Sequence, residues 1–256
     1  NLRWVIFLLQ SFTCTIYFFL LYKMLKELKF ERVIILSIFT PIFILYPVAE
    51  IEVLARKEII VFSLFLIYLF VPRNSSIKLF SLIIFSSLSM LIWEPIIFFF
   101  PLILLLEIIE NDIKKLDLNI LKIILSFTPS LIIALIIIFD PLSNEEHVLM
   151  ASVLINEFGQ TCYMSCGLLI GKSTIIQQFE GNYDKYSLEV FVRYSLIISI
   201  GFFPLLVLLN NSYLKSKTLF LFKFFKKPIT LFYISLSPLI ILFAMGYDWG
   251  RWVNIS

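Results

Sequence analysis

Three short stretches of this 256-residue chain carry side chains that could do chemistry. The last is Gly246-Tyr247-Asp248-Trp249-Gly250-Arg251-Trp252, where an acid, a base and three aromatics interrupt an apolar chain. Asp248 and Arg251 are three residues apart, so on one helical turn they share a face and can pair. Gly250 between them lets a bound molecule or another backbone come close. The second stretch holds Glu52, Arg56, Lys57 and Glu58. Glu52 and Arg56 have the i, i+4 spacing of a helical pair, with the acid in the favourable N-terminal place. The third is Trp93-Glu94-Pro95, a carboxylate held between an indole and a ring with no amide donor. If desolvated there, the carboxyl is weakened as an acid, which suits a general base or acid. Arginine and lysine at this density are partners for a diphosphate, and a nearby carboxylate can take the proton of an attacking hydroxyl.

Each stretch also has a plainer reading. Trp and Tyr gather at the headgroup level of a membrane and Arg snorkels there, which accounts for Trp249, Trp252 and Arg251 but not for Asp248. The charges at 52–58 fit a solvated turn between helices, and Glu94 fits a solvated loop tip. Two other motifs carry nothing. Gly167-Leu168-Leu169-Ile170-Gly171-Lys172-Ser173 ends like a phosphate-binding loop but has three residues between its glycines where four are needed. Cys162, Cys166 and a distant His147 match no closed metal-ligand set, so no metal or other cofactor is expected.

The elements that must position these residues are membrane helices. Sixty per cent hydrophobic residues, 15% charge and a mean hydropathy of +0.97 exclude an ordinary soluble domain. With no apolar–polar alternation, the 28 Phe and 7 Gly fit a helical bundle rather than a barrel. A net charge of +3 is too small to argue for nucleic acid. The fold expected is all-α: a polytopic transmembrane helical bundle of about eight spans, forming a single domain over 1–256. Apolar windows put the spans at roughly 3–22, 33–49, 57–71, 78–93, 95–109, 120–139, 188–209 and 229–247.

The connectors orient the bundle. Those after the first, third, fifth and seventh spans hold 14 of the 21 Lys and Arg, including Lys23, Lys26, Lys78, Lys114 and Lys122. The positive-inside rule makes that side cytoplasmic. The other side collects 12 of the 18 Asp and Glu, among them Glu52, Glu58, Glu94 and Asp248. All three charged stretches therefore fall on the extracytoplasmic face, expected to be that of a bacterial inner membrane. An even span count starting from Asn1 outside implies an earlier helix, so the chain reads as a fragment of a longer protein.

Several spans are expected to be broken. Pro41 and Pro47 interrupt the second. The run Leu79 to Leu106 is cut only at Trp93-Glu94-Pro95, which predicts a hairpin or re-entrant pair with Glu94 at its tip. The extracytoplasmic loop over 140–187 is the sizeable polar segment. Its pieces Val148 to Ile155 and Tyr163 to Ile170 are expected to lie along the membrane surface as short helices. Loops of this length serve as lids or binding segments.

With its helical spans, large outer loop and the breaks Arg56-Lys57-Glu58, Trp93-Glu94-Pro95 and Asp248-Trp249-Gly250-Arg251, the layout resembles membrane-integral glycosyltransferases and O-antigen-type polysaccharide polymerases. The resemblance covers the architecture of most of the chain and few residues as motif. The paired acidic motif that many such transferases carry in their first outer loop is missing. The resemblance implies transfer from a polyprenyl-diphosphate-linked sugar donor to a glycan acceptor, in contact with membrane lipids. Glu94 and Asp248 are then the candidate catalytic residues. Arg56, Lys57 and Arg251, with Glu52, Glu58, Trp249 and Trp252, are the candidate substrate-binding residues. Two other classes fit the same charges: a transporter or lipid-linked glycan flippase, whose passage they would line, and a non-catalytic assembly subunit anchored by the aromatic belt.

Overall fold

The computed structural model of the chain describes residues 2–27, 57–72, 76–111, 118–140, 142–161, 175–183, 185–211 and 228–245. Among these every regular element is a helix and none is a strand. In chain order they are α1 (Leu2–Glu27), α2 (Glu58–Phe70), α3 (Ser76–Ile92), a 3₁₀ segment (Glu94–Phe99), α4 (Phe100–Glu110), α5 (Leu118–Ser126) and α6 (Thr128–Phe139). There follow α7 (Asn144–Phe158), α8 (Ile175–Tyr183), α9 (Leu188–Asn211), α10 (Pro228–Leu236) and α11 (Leu239–Met245). The expected span at 33–49, with Pro41 and Pro47, and the expected surface piece at 163–170 lie outside the described residues.

Two helical stretches, Trp4–Glu27 and Leu118–Phe139, are long and apolar enough to cross a membrane, with mean hydropathies of 1.9 and 2.4. Along α1, Trp4, Leu8, Phe12 and Phe19 are exposed. The apolar helices α2 and α3 are shorter, with 13 and 17 residues, against the roughly 20 a bilayer core asks of one helix, while α9 has 24. The sequence supplies the reason for each interruption. Trp93 is extended (φ −152°, ψ 97°) before Glu94-Pro95, and Pro101 sits in the first turn of α4. Together they convert the long apolar run into a helix, a 3₁₀ turn and a second helix, since proline donates no backbone hydrogen bond. Pro129 does the same between α5 and α6, where the Ser130 hydroxyl donates to the Phe127 carbonyl at 2.8 Å. Pro238 separates α10 from α11.

Ring contacts settle the directions. Tyr17 lies against Phe62 (centroids 6.0 Å apart) and the Lys23 ammonium sits 4.5 Å from the Phe70 ring, so α1 and α2 run parallel. α3 returns antiparallel to α2, with Phe85 packed on Phe65 and Tyr68, and α4 runs back again. One end of this group therefore holds Lys23, Lys26, Lys78 and Lys122 among its described residues. The other holds Lys57, Glu58 and Glu94. The core runs through Tyr68, Leu82, Phe85, Met90, Trp93 and Phe100, with Leu82 and Met90 fully buried. α5 and α6 both pack along α3, and their buried positions Ser126, Ser130 and Ala134 recur every four residues. Small side chains at that spacing let helices approach closely.

The expected surface helix at 148–155 is part of α7, which buries none of its residues. It is bounded by its own sequence. Ser143 and Glu146 form a reciprocal capping box at the start, and Gly159 closes the end in the left-handed region (φ 62°).

Candidate functional site

At the end of the group that holds Lys57, Glu58 and Glu94, α2 opens with Lys57 exposed and Glu58 buried at 5% exposure. An acid in a first helical turn sits favourably against the helix dipole. Glu58 is therefore integrated into the packing rather than displayed, whereas Lys57 faces outward. Across the α2–α3 hairpin, α3 ends where the Trp93 amide donates to the Ser89 carbonyl at 2.8 Å. The Trp93 indole turns into the core at 2% exposure, 5.7 Å from the Phe99 ring. That inward turn leaves Glu94 exposed on the next residue. The indole thus anchors the turn and does not cover the carboxylate.

α11, the helix that leads into Gly246, packs against the 3₁₀ segment carrying Glu94. A hydrogen bond from the Tyr186 hydroxyl to the Phe243 carbonyl, 3.3 Å, ties α11 to the start of α9. Glu52, Arg56, Asp248, Trp249, Arg251 and Trp252 lie outside the described residues. The structure thus brings to one end Lys57, Glu58, Glu94 and the last described turn before the Asp248–Arg251 stretch. Among the described residues no cluster of three or more His, Cys, Asp or Glu side chains could hold a metal ion.

The most developed polar constellation is at the opposite end and was not singled out from the sequence. Glu107 of α4 is 2% exposed, Lys78 of α3 4% and Tyr68 of α2 2%. The Tyr68 hydroxyl donates to Glu107 Oε1. Lys78 Nζ lies 3.8 Å from the same oxygen, 3.8 Å from the Tyr68 ring centroid and 3.1 Å from the Tyr68 carbonyl, to which it donates. Asn111 completes the group, its amide donating to the Glu107 carbonyl at 2.8 Å and to Oε2 at 3.3 Å. The sequence places Lys78 in a polar connector; the structure buries it as the counter-charge of Glu107. The signal available was Glu107 itself, a lone acid in the apolar run Leu102 to Ile109. An ionisable residue inside such a run marks a functional or structural polar site.

Two further buried hydroxyls, Ser87 Oγ and Ser89 Oγ, have no hydrogen-bond partner among the described residues. Both lie on α3 close to its break at Trp93. No family model matches the sequence, and no curated protein or solved structure matches it either.

Proposed function

We propose that the chain is a membrane-embedded glycosyltransferase or polysaccharide polymerase. It transfers sugar from a polyprenyl-diphosphate donor to a glycan acceptor at the extracytoplasmic face of a bacterial inner membrane. The observation that carries this reading is the packing of α11 on the Glu94 turn. It brings the helix leading into Asp248 and Arg251 to the segment that carries an exposed carboxylate. In this proposal the bundle has about eight spans, several of them broken, and its charged breaks converge under the loop over 140–187. Arg56, Lys57 and Arg251 hold the diphosphate, with Glu52 and Glu58 orienting them and Trp249 and Trp252 flanking the lipid-linked sugar. Glu94 or Asp248 takes the proton of the acceptor hydroxyl. The exposure of Glu94 supports that role, because a base must reach an acceptor arriving from water.

The test is sugar transfer by the full chain in lipid vesicles, from a polyprenyl-diphosphate sugar to a glycan primer. Removing a general base lowers the rate by about 10²- to 10⁴-fold, so Glu94→Gln or Asp248→Asn is expected to do so. Arg251→Ala is expected to weaken donor binding. Parental rates in all three variants would sink the assignment.

A second reading, transport of a lipid-linked glycan, draws on the Lys78–Glu107 pair, since transporters bury paired ionisable residues in the bundle. Movement of labelled donor across vesicles without transfer of its sugar would favour it.

A further inference from the structure

We propose that Tyr68, Lys78 and Glu107 form a charge-neutral clamp that seals the lysine-bearing ends of α2, α3 and α4 against water. In this proposal the opposite end of the same helices opens independently of it. The inference depends on the helical group itself and not on the glycosyl-transfer reading. The three side chains come from three different helices, and each is at least 96% buried. Lys78 serves two of those helices at once. It donates to the Tyr68 carbonyl in the last turn of α2, where a cation complements the helix dipole, and it neutralises Glu107 on α4. Asn111, at the end of α4, fixes the carboxylate from its other oxygen. Nearby, Lys23 of α1 sits over Phe70, adding the fourth helix to the same end.

The other end is built differently. There α3 gives way to a 3₁₀ turn, whose hydrogen bonds are poorer than those of an α-helix. Pro95 and Pro101 withhold backbone donors on either side. The hydroxyls of Ser87 and Ser89 are buried there without partners among the described residues, and such groups favour states that let them reach water or another hydrogen-bonding group. A pair of charges fixed at one end and weak backbone bonding at the other makes the first end the pivot.

The experiment uses the full chain in lipid nanodiscs, where both ends meet water, with its native cysteines changed to serine. A single cysteine is placed at Ile108, buried beside Glu107, or at Ile96, buried in the 3₁₀ turn. Labelling by a membrane-impermeant maleimide is timed for each. Lys78→Met or Glu107→Leu leaves one charge without its counter-charge, and labelling at 108 is expected to rise at least about tenfold. Labelling at 96 is expected to stay within about twofold, the mark of local rather than global opening. Lys78→Met with Glu107→Leu removes both charges, and labelling at 108 is expected to return to within about threefold of the parent. Tyr68→Phe, which deletes one hydroxyl and keeps the ring, is expected to raise it about threefold. The proposal is overturned if the single variants leave position 108 unreactive, if the double variant labels as fast as the singles, or if position 96 accelerates by the same factor.

Discussion

Replacing Lys78 and Glu107 one at a time is expected to have unequal costs, and the inequality follows from what each leaves behind. Removing one partner of a buried ion pair costs about 3–5 kcal/mol, most of it the penalty of the abandoned charge. After Lys78→Met, Glu107 keeps two donors, the Tyr68 hydroxyl and the Asn111 amide. Hydrogen bonds to the charged form stabilise it, so this variant is expected at about 3 kcal/mol, the lower end of the range. After Glu107→Leu, Lys78 keeps its bond to the Tyr68 carbonyl but loses its counter-charge, and the Tyr68 hydroxyl loses its acceptor. That variant is expected at about 5 kcal/mol. With both replaced by apolar side chains the two penalties cancel, so the double variant is expected to cost at least about 2 kcal/mol less than the sum of the singles. Equilibrium unfolding in mixed micelles, titrated with a denaturing detergent and followed by tryptophan fluorescence, reads all three. Additivity within about 0.5 kcal/mol would refute the reasoning, because it would mean that the two charges do not interact across the helices.

Other substitutions probe the rest of the frame. Leu82 is fully buried in the core, so Leu82→Ala is expected to cost about 2–5 kcal/mol in the same unfolding assay. Ser89→Ala removes a buried hydroxyl that has no partner among the described residues, so it is expected to leave the melting temperature unchanged or raise it, where a drop of several degrees would reveal a partner outside them. Gly159 has a φ of 62° with open space around it, so Gly159→Ala strains only the backbone and is expected to fray the end of α7 by about 1 kcal/mol, seen as faster amide exchange at Gln160. The Ser143 amide and hydroxyl both donate to Glu146, holding its carboxyl below the ordinary glutamate range. A depressed folded-state value means the cap is fully formed above the unfolded pKa and is lost as pH falls through the folded one. The protection of amides at the start of α7, the slowing of exchange relative to an unstructured chain at the same pH, is therefore expected to be flat at neutral pH and to fall below about pH 4, the carboxylate range. Ser143→Ala keeps the amide that donates to Glu146 and is expected to weaken that pH dependence, whereas Glu146→Gln is expected to abolish it.

Much of the fold was legible in the sequence because the signals are local. Apolar runs, prolines and the Ser143–Glu146 and Gly159 caps act over a few residues, and α1, α2, α3, α7, α9 and the α5–α6 pair lie close to where hydropathy put them. Trp93-Glu94-Pro95 breaks its run as expected, because the proline at 95 excludes a continuous helix. Connector order likewise puts Lys23, Lys26 and Lys78 at one end of the first four described helices and Lys57, Glu58 and Glu94 at the other, while Glu27 and Glu107 share the first end. What the sequence left open was which side chains turn inward. Trp93 and Glu94 are neighbours, yet only tertiary packing decided that the indole enters the core and the carboxylate stays outside. Glu58 and Lys57 divided the same way, the acid inward and the base outward. Lys78 looked like one more connector lysine, and only the return of α4 beside α2 and α3 supplied the carboxylate that allows it to be buried. Tyr68 and Glu107 are 39 positions apart, and their hydrogen bond exists because two helix reversals bring the same end of the group together. Composition and periodicity determine where helices begin and end; whether a charge among them is exposed or neutralised depends on a partner that no local pattern names.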